Sequence, residues 1–439
     1  MAKKSSNKRA VNQAYRTAEK AARKNPKAFW ATVAVVLVLV LILGAIGYWL
    51  YKTGRLDGWL DPAGNQGNNG GVAGDISAGD FAEISSADLS IHFLELGVAN
   101  VGDCVLIKSG NTEVLIDAGA KATTAPSQEM LDYVATYCTD DVLEYVIATH
   151  AHEDHIAGLV GQKKGDSYTG FLYQYRIGTI IQFAGTNQKM QTDKGNETLY
   201  AKYVAATEYC AEKWETQVYT ALQCWNETDG AKKTYYLNES KTVSMNILYQ
   251  KYYEETASTE NNYSVCMLLT QTVGQEEYNY LFTGDLEKGG EQSLAESNDL
   301  PHCVLYKGGH HGSSTSSNEV LLEKITPENI AICSCAGTYE YASKPTETHP
   351  DRYKNTFPTQ EAIDRMSKYT KYIYVTTVGI LNEDYSTKGF ESMNGNIVFY
   401  FGKSEEETEK SLKLWCSHND KILKDTEWFA QNRVWNGVA

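Results

Sequence analysis

Residues 149–159 read T-H-A-H-E-D-H-I-A-G-L, which places His150, His152, Asp154 and His155 within six positions. The run before them, L-E-Y-V-I-A-T at 143–149, is apolar and β-branched and predicts a buried strand. The run after them, from Ile156 to Leu159, predicts a helix opening. The four polar side chains therefore fall on a strand-to-helix turn at the edge of a sheet. His150 and His152, two apart, project the same way, while Asp154 and His155 sit where the chain turns and face a second point. Imidazoles with one carboxylate suit zinc, iron or manganese, and an open coordination position would hold a water. Three of the chain's nine His lie in this hexapeptide, which makes an accidental His-rich turn the weaker explanation.

Charge is distributed unevenly. Residues 1–55 carry 11 Lys and Arg against the single acid Glu19, whereas the other 384 of the 439 residues are strongly acidic and outweigh them to a net charge of −15. An acidic exterior repels polyanions, so nucleic acid is not a favoured partner. Residues 29–51 run 23 positions without a charge, enough for a helix to span a bilayer core of about 30 Å. Trp30 and the Tyr48, Trp49 and Tyr51 cluster mark its two ends. The basic residues before it predict a cytoplasmic N-terminus and an extracellular remainder. The expected organisation is a basic tail at 1–28, a transmembrane helix at 29–51, a Gly/Asn-rich tether at 52–85, a catalytic domain at 86–403 with 163–260 partly an insertion, and a C-terminal extension at 404–439. The nine Cys are scattered, several inside apolar runs where Cys packs as a small hydrophobe.

Further motifs follow in order. Residues 89–96 predict a strand that contains His92, expected to be packed rather than a ligand. The segments G-D-C-V-L-I at 102–107 and E-V-L-I-D-A-G at 113–119 predict a hairpin. Asp117 ends its second strand, where a carboxylate can accept the remaining proton of a ligand His. Asp285 closes an apolar strand in F-T-G-D. Residues 308–314 read G-G-H-H-G-S-S, a turn at which His310 and His311 can both reach one site. Ser313 and Ser314 precede a predicted helix whose N–H groups would suit a phosphate.

In this order these segments resemble the metallo-β-lactamase domain of ComEC-type competence proteins and their stand-alone relatives, over roughly residues 90–400; phosphorylcholine esterases of Gram-positive surfaces look like cousins. The resemblance implies an α/β fold, a four-layer αββα metallo-β-lactamase sandwich, here preceded by one N-terminal transmembrane helix. It implies two divalent metal ions, zinc before manganese or iron, held by His150, His152, Asp154, His155, Asp285 and His310. Asp285 would bridge them, Asp103 and Asp117 would orient ligands from behind, and His311 with Asp154 would act in catalysis. Two departures stand out. No His lies between His155 and His302, where most relatives supply a third ligand, which leaves one or two ions open. The family's His-Pro before the last helix is Phe357-Pro358 here, with His349 upstream as a further candidate ligand. The sequence does not choose among His310, His311 and His349. The expected activity is hydrolysis of a phosphodiester or related ester by metal-activated water. The alternative is a degenerate module of the same fold that binds a surface polymer or a partner protein.

Overall fold

The computed structural model describes residues 76–98, 100–165, 167–333, 356–383, 387–402 and 411–439. The basic tail, the apolar span at 29–51, the tether up to residue 75 and His349 lie outside them. Among the described residues no helix is long and apolar enough to cross a membrane.

Along the chain the strands are β1 (Ser90–Phe93), β2 (Val105–Ser109), β3 (Thr112–Ile116), β4 (Val142–Ala148), β5 (Arg176–Gln182), β6 (Gln217–Thr220), β7 (Thr234–Tyr236), β8 (Val243–Leu248), β9 (Cys266–Val273), β10 (Glu276–Phe282), β11 (Leu305–Lys307), β12 (Asn329–Ile332), β13 (Tyr372–Val375), β14 (Ile397–Gly402) and β15 (Ser411–Cys416). The principal helices are α1 (Ala78–Ser85), α2 (Gln128–Tyr137), α3 (Glu153–Val160), α4 (Leu199–Trp214), α5 (Lys288–Ser297), α6 (Glu319–Ile325) and α7 (Gln360–Met366). Among the described residues these strands form one eight-stranded sheet, ordered β15-β14-β1-β2-β3-β4-β5-β6, and one seven-stranded sheet, ordered β13-β12-β11-β10-β9-β8-β7; Lys163–Lys164 with Ser167–Tyr168 and Thr377–Leu381 with Thr387–Ser392 make two further two-stranded sheets.

The period-2 alternation of the strands explains how the layers stack. In the second sheet Tyr280, Phe282, Leu305, Ala331 and Tyr374 belong to the core between the sheets. Their neighbours Leu281, Tyr306, Ile330, Ile332, Ile373 and Val375 face the other way, into a separate core with Leu294 of α5, Leu321 and Leu322 of α6 and Ile363 of α7. In the first sheet Phe93 points inward and stacks on Phe282 at 6.3 Å, centroid to centroid. Next to it His92 points outward under α2, 2.9 Å from Tyr133 Oη and 2.8 Å from Ser90 Oγ. Both ring nitrogens are thus occupied, and His92 is a packed histidine. Helices cover both outer faces, which gives the αββα order, a metallo-β-lactamase-type sandwich.

Three segments bear on the expected organisation. Helix α1 lies inside the stretch read as tether; Ser77 caps it, accepting from the Asp80 N–H, and Ile84 is buried, so the folded unit begins before residue 78. Within residues 163–260, expected to be partly an insertion, β5 and β6 complete one end of the first sheet and β7 and β8 one end of the second. Strand β15, in the C-terminal extension, pairs antiparallel with β14 and closes the edge of the first sheet. All eight described cysteines are free thiols.

Strands β3, β4 and β5 run parallel, as do β10, β11 and β12. Their C-terminal ends therefore open on one side of the sandwich, the side on which crossover loops in α/β sheets gather ligand-binding groups. Asp117 follows β3, His150 follows β4, Asp285 follows β10 and the His310–His311 pair follows β11. Strand β2 is antiparallel to β3, so Asp103, just before β2, reaches the same edge.

Candidate metal centre

Helix α3 starts at the histidine run. His152 is its N-cap residue and Glu153 and Asp154 fill its first turn, where acidic side chains complement the positive end of the helix dipole. The loop after β3 is locked against this turn. A Cβ on Gly119 would lie 1.5 Å from the Asp154 carbonyl oxygen, so only glycine fits. The Asp103 N–H donates to that same carbonyl at 3.1 Å.

His155 stands at the centre, fully buried. Its Nδ1 lies 2.8 Å from Asp117 Oδ2 and its Nε2 3.1 Å from Asp285 Oδ2. Asp117 also accepts from the Thr149 N–H at 2.8 Å and the Thr149 hydroxyl at 2.6 Å. His311 Nε2 lies 3.4 Å from Asp154 Oδ2 and 3.3 Å from Asp285 Oδ2. One donor atom from each of Asp154, His155, Asp285 and His311 falls within 4.8 Å of all the others. His150 Nε2 and His152 Nδ1 converge to 3.0 Å beside them. Ser264 ties the two halves together: its Oγ lies 3.4 Å from His150 Nδ1 and accepts from the Asp285 N–H at 3.1 Å.

The turn after β11 brings the paired histidines to one place by strain. His310 and His311 both hold left-handed backbone, with φ of 49° and 52°, and Gly312 follows at 80°. Such conformations cost about 1–3 kcal/mol at each non-glycine residue and persist where the surroundings over-determine them. Here the ring of Phe357 stands about 6 Å from both imidazoles, and a Cβ on Gly312 would meet Pro358 at 2.5 Å. It is His311, expected as the proton donor, whose Nε2 joins Asp154 and His155. His310, expected as the ligand, keeps its Nε2 3.6 Å from Asp285 and its Nδ1 2.9 Å from Thr315 Oγ1, with its side chain partly exposed.

Electrostatics follow from this crowding. Burial alone would pull His155 and His311 down, but Asp285, with Asp117 beside the first and Asp103 beside the second, raises both well above the usual imidazole range. Burial pushes Asp154 and Asp285 up, yet the adjacent imidazoles hold both below the usual carboxylate range. Burial lowers His150 and His310, which favours their neutral forms.

The donor set fits a divalent cation. Two carboxylates and two imidazole nitrogens converge, and Asp285 Oδ1 is buried with no hydrogen-bond partner among the described residues, a costly state for a carboxylate oxygen unless a cation satisfies it. Part of the predicted phosphate cradle at Ser313 and Ser314 is already engaged within the protein. Ser313 Oγ accepts from the Thr315 N–H, and the N–H groups of Ser317 and Asn318 donate to the buried carboxylate of Glu291 at 2.7 and 2.8 Å. Arg365 binds the carbonyls of Ser314, Ser316 and Ser317, so the serine loop is a braced support.

Sequence reasoning missed three contributors. Glu260, buried, accepts from Ala151 N–H at 3.1 Å and from the Asn187 N–H at 2.6 Å and braces the histidine run. Ser264 stands in N-N-Y-S-V at 261–265, where a lone serine gives no sign of a role. Lys307 is 2 % exposed, and its Nζ lies 2.5 Å from Asp103 Oδ2. The available signal for it was one charge ending an otherwise apolar run, C-V-L-Y-K, immediately before Gly-Gly.

Residues 97–175, which hold Asp103, Asp117 and the whole histidine run, match the family model described as the Metallo-beta-lactamase superfamily. Among solved structures, the metallo-beta-lactamase fold protein YhfI from Bacillus subtilis is 11% identical, over 65% of this chain and 96% of that one, with a TM-score of 0.31. MEM-A1, a subclass B3 metallo-beta-lactamase isolated from a soil metagenome library, is 13% identical over 50% and 76%, with a TM-score of 0.29. None of the curated proteins matches the chain.

Proposed function

We propose that this protein is a metal-dependent hydrolase that cleaves a phosphodiester or a related ester, held at the membrane by residues 29–51 with its folded domain outside the cell. The observation that carries the hydrolase reading is the convergence of Asp154, His155, Asp285 and His311 from three separate loops, with one Asp285 oxygen left without a partner among the described residues. Asp154, His155 and His311 would hold one ion and His150 and His152 a second, with Asp285 beside His155 and His311. Divalent ions held there supply Lewis acidity and bring the ionisation of water toward neutral pH.

The protein's own groups set the rest. Asp117 accepts a hydrogen bond from His155 Nδ1–H and so keeps the Nε2 lone pair for the donor cluster. His310 is the one imidazole of the G-H-H-G turn left at the surface of the site. With burial favouring its neutral form and Thr315 on its Nδ1, its Nε2, 3.6 Å from Asp285 Oδ2, would donate to a substrate oxygen. Phe357 walls that side, its ring about 6 Å from both imidazoles. The acidic exterior favours a substrate other than nucleic acid. The membrane placement is supported by the length of the uncharged run and the basic residues before it.

The test uses the full chain supplied with zinc or manganese and bis(p-nitrophenyl) phosphate. His152→Ala and Asp154→Ala are expected to lose both bound metal and turnover; wild-type turnover in either variant rejects the reading. The binding-module alternative draws on the absence of any His from 156 to 301. It predicts a wild-type protein that retains no metal after supplementation.

A further inference from the structure

Behind the donor cluster lies a cation that none of the chemistry above employs. Lys307 ends β11 with its side chain pointing into the protein rather than to water, at 2 % exposure. Burying an ammonium is costly unless it is paired and hydrogen-bonded. Its Nζ lies 2.5 Å from Asp103 Oδ2, and it reaches the carbonyls of Gly284 at 3.5 Å and Gly308 at 3.4 Å. Those three contacts have a pattern. Gly284 directly precedes Asp285, Gly308 opens the turn that carries His310 and His311, and Asp103 sits on the loop that meets the Asp154 backbone. The second oxygen of Asp103 lies 3.1 Å from His311 Nδ1.

We propose that Lys307 is the positioning residue of the metal centre: it neutralises and fixes Asp103, so that Asp103 holds His311 by Nδ1 with Nε2 turned to Asp154 and Asp285. This rests on the metal-binding reading above. Asp117 does the same for His155 without a cation, because the Thr149 N–H and hydroxyl occupy its other lone pairs. Asp103 has no such hydroxyl partner among the described residues, and Lys307 takes that place. Deprived of its cation, the buried carboxylate turns toward another partner, and His311 Nδ1 then loses it and keeps the Cys333 carbonyl, 3.3 Å away. Four carboxylates, Asp103, Asp117, Asp154 and Asp285, crowd this region, so one fixed positive charge also keeps Asp103 from competing as a ligand.

A double-variant cycle tests this by metal affinity, measured on the full chain by chelator competition, with the visible spectrum of the cobalt-loaded protein as a report on ligand geometry. Lys307→Met, close in volume and uncharged, is expected to weaken binding about 10–100-fold and to alter the cobalt spectrum. Adding Asp103→Asn removes the uncompensated charge while leaving an oxygen for His311 Nδ1. The double variant is therefore expected to regain about tenfold of that loss, a non-additive result. Wild-type affinity and spectrum in Lys307→Met, or strictly additive effects of the two changes, overturn the proposal while leaving the metal reading intact. If Lys307→Met does not fold, a folded, metal-binding double variant supports the pairing and an unfolded one overturns it. A wild-type chain that binds no metal defeats both.

Discussion

Asp117→Asn isolates one hydrogen bond behind the metal centre. The backbone at this residue is left-handed, with φ of 54°, a conformation that Asn adopts as readily as Asp. The fold should therefore accept the change, and the effect should come from the side chain. The Asn carbonyl keeps the Thr149 N–H. Its amide nitrogen then faces the Thr149 hydroxyl and His155 Nδ1, where the carboxylate accepted at 2.6 and 2.8 Å. The hydroxyl can rotate and accept instead. His155 has no such freedom: to accept at Nδ1 it must move its proton to Nε2, the atom 3.1 Å from Asp285. An Nε2–H cannot bind a cation. The lost charge-assisted hydrogen bond is worth about 1.5–3 kcal/mol, which corresponds to roughly 10–100-fold in metal affinity. Chelator competition near neutral pH measures this directly, with a thermal melt to show that the variant is folded. A folded Asp117→Asn within about twofold of wild-type affinity, far below the 10–100-fold usual for such partners, would refute the tautomer argument.

Three other outcomes follow from the same geometry. Gly119→Ala must push the loop after β3 away from the Asp154 carbonyl, 1.5 Å from the new Cβ, and should cost more than about 3 kcal/mol in denaturant unfolding; an unchanged midpoint contradicts the packing described. His155 and His311 are raised by their carboxylate neighbours, and a proton must leave each before its Nε2 can hold a cation, so metal affinity should fall as pH is lowered; a flat profile in chelator competition would count against their role as ligands. Burial pushes Glu95 up to about 7 from its usual 4.5, against a hydrogen bond from Ser392. The folded state keeps this proton where the unfolded chain has lost it, so stability present below about pH 4.5 declines by about 3 kcal/mol as pH rises to 7. Glu95→Gln should flatten that decline, and an unaltered pH dependence of unfolding would exclude Glu95 as its source.

The parts of the site that were legible in the sequence are those that end strongly apolar strands. His150 follows β4 and Asp285 follows β10, and both strands are long and β-branched or aromatic enough to be read from periodicity. Asp117 was legible for the same reason. The paired histidines were located but not ordered. Which imidazole joins Asp154 depends on two successive left-handed residues packed against Phe357 and Pro358, and local patterning does not carry that information. Lys307 and Glu260 were not legible, since a buried charge is explained by its partner, and Asp103 and the Ala151 N–H lie far away in the chain. The short strands β6 and β7, of four and three residues, are too brief to show a period, which is why 163–260 resembled an insertion. Helix α1 was hidden by the glycine-rich composition around it, although Ser77, Phe81 and Ile84 supply its cap and its apolar face.

The most direct test of the central claim is the metal-to-protein ratio of the full chain after equilibrium dialysis against zinc or manganese, compared with Asp285→Ala. Convergence of Asp154, His155, Asp285 and His311 on a cation predicts at least one tightly held ion per chain and its loss in the variant. A wild-type chain that emerges from dialysis without metal, or an Asp285→Ala chain that retains the wild-type ratio, would contradict it.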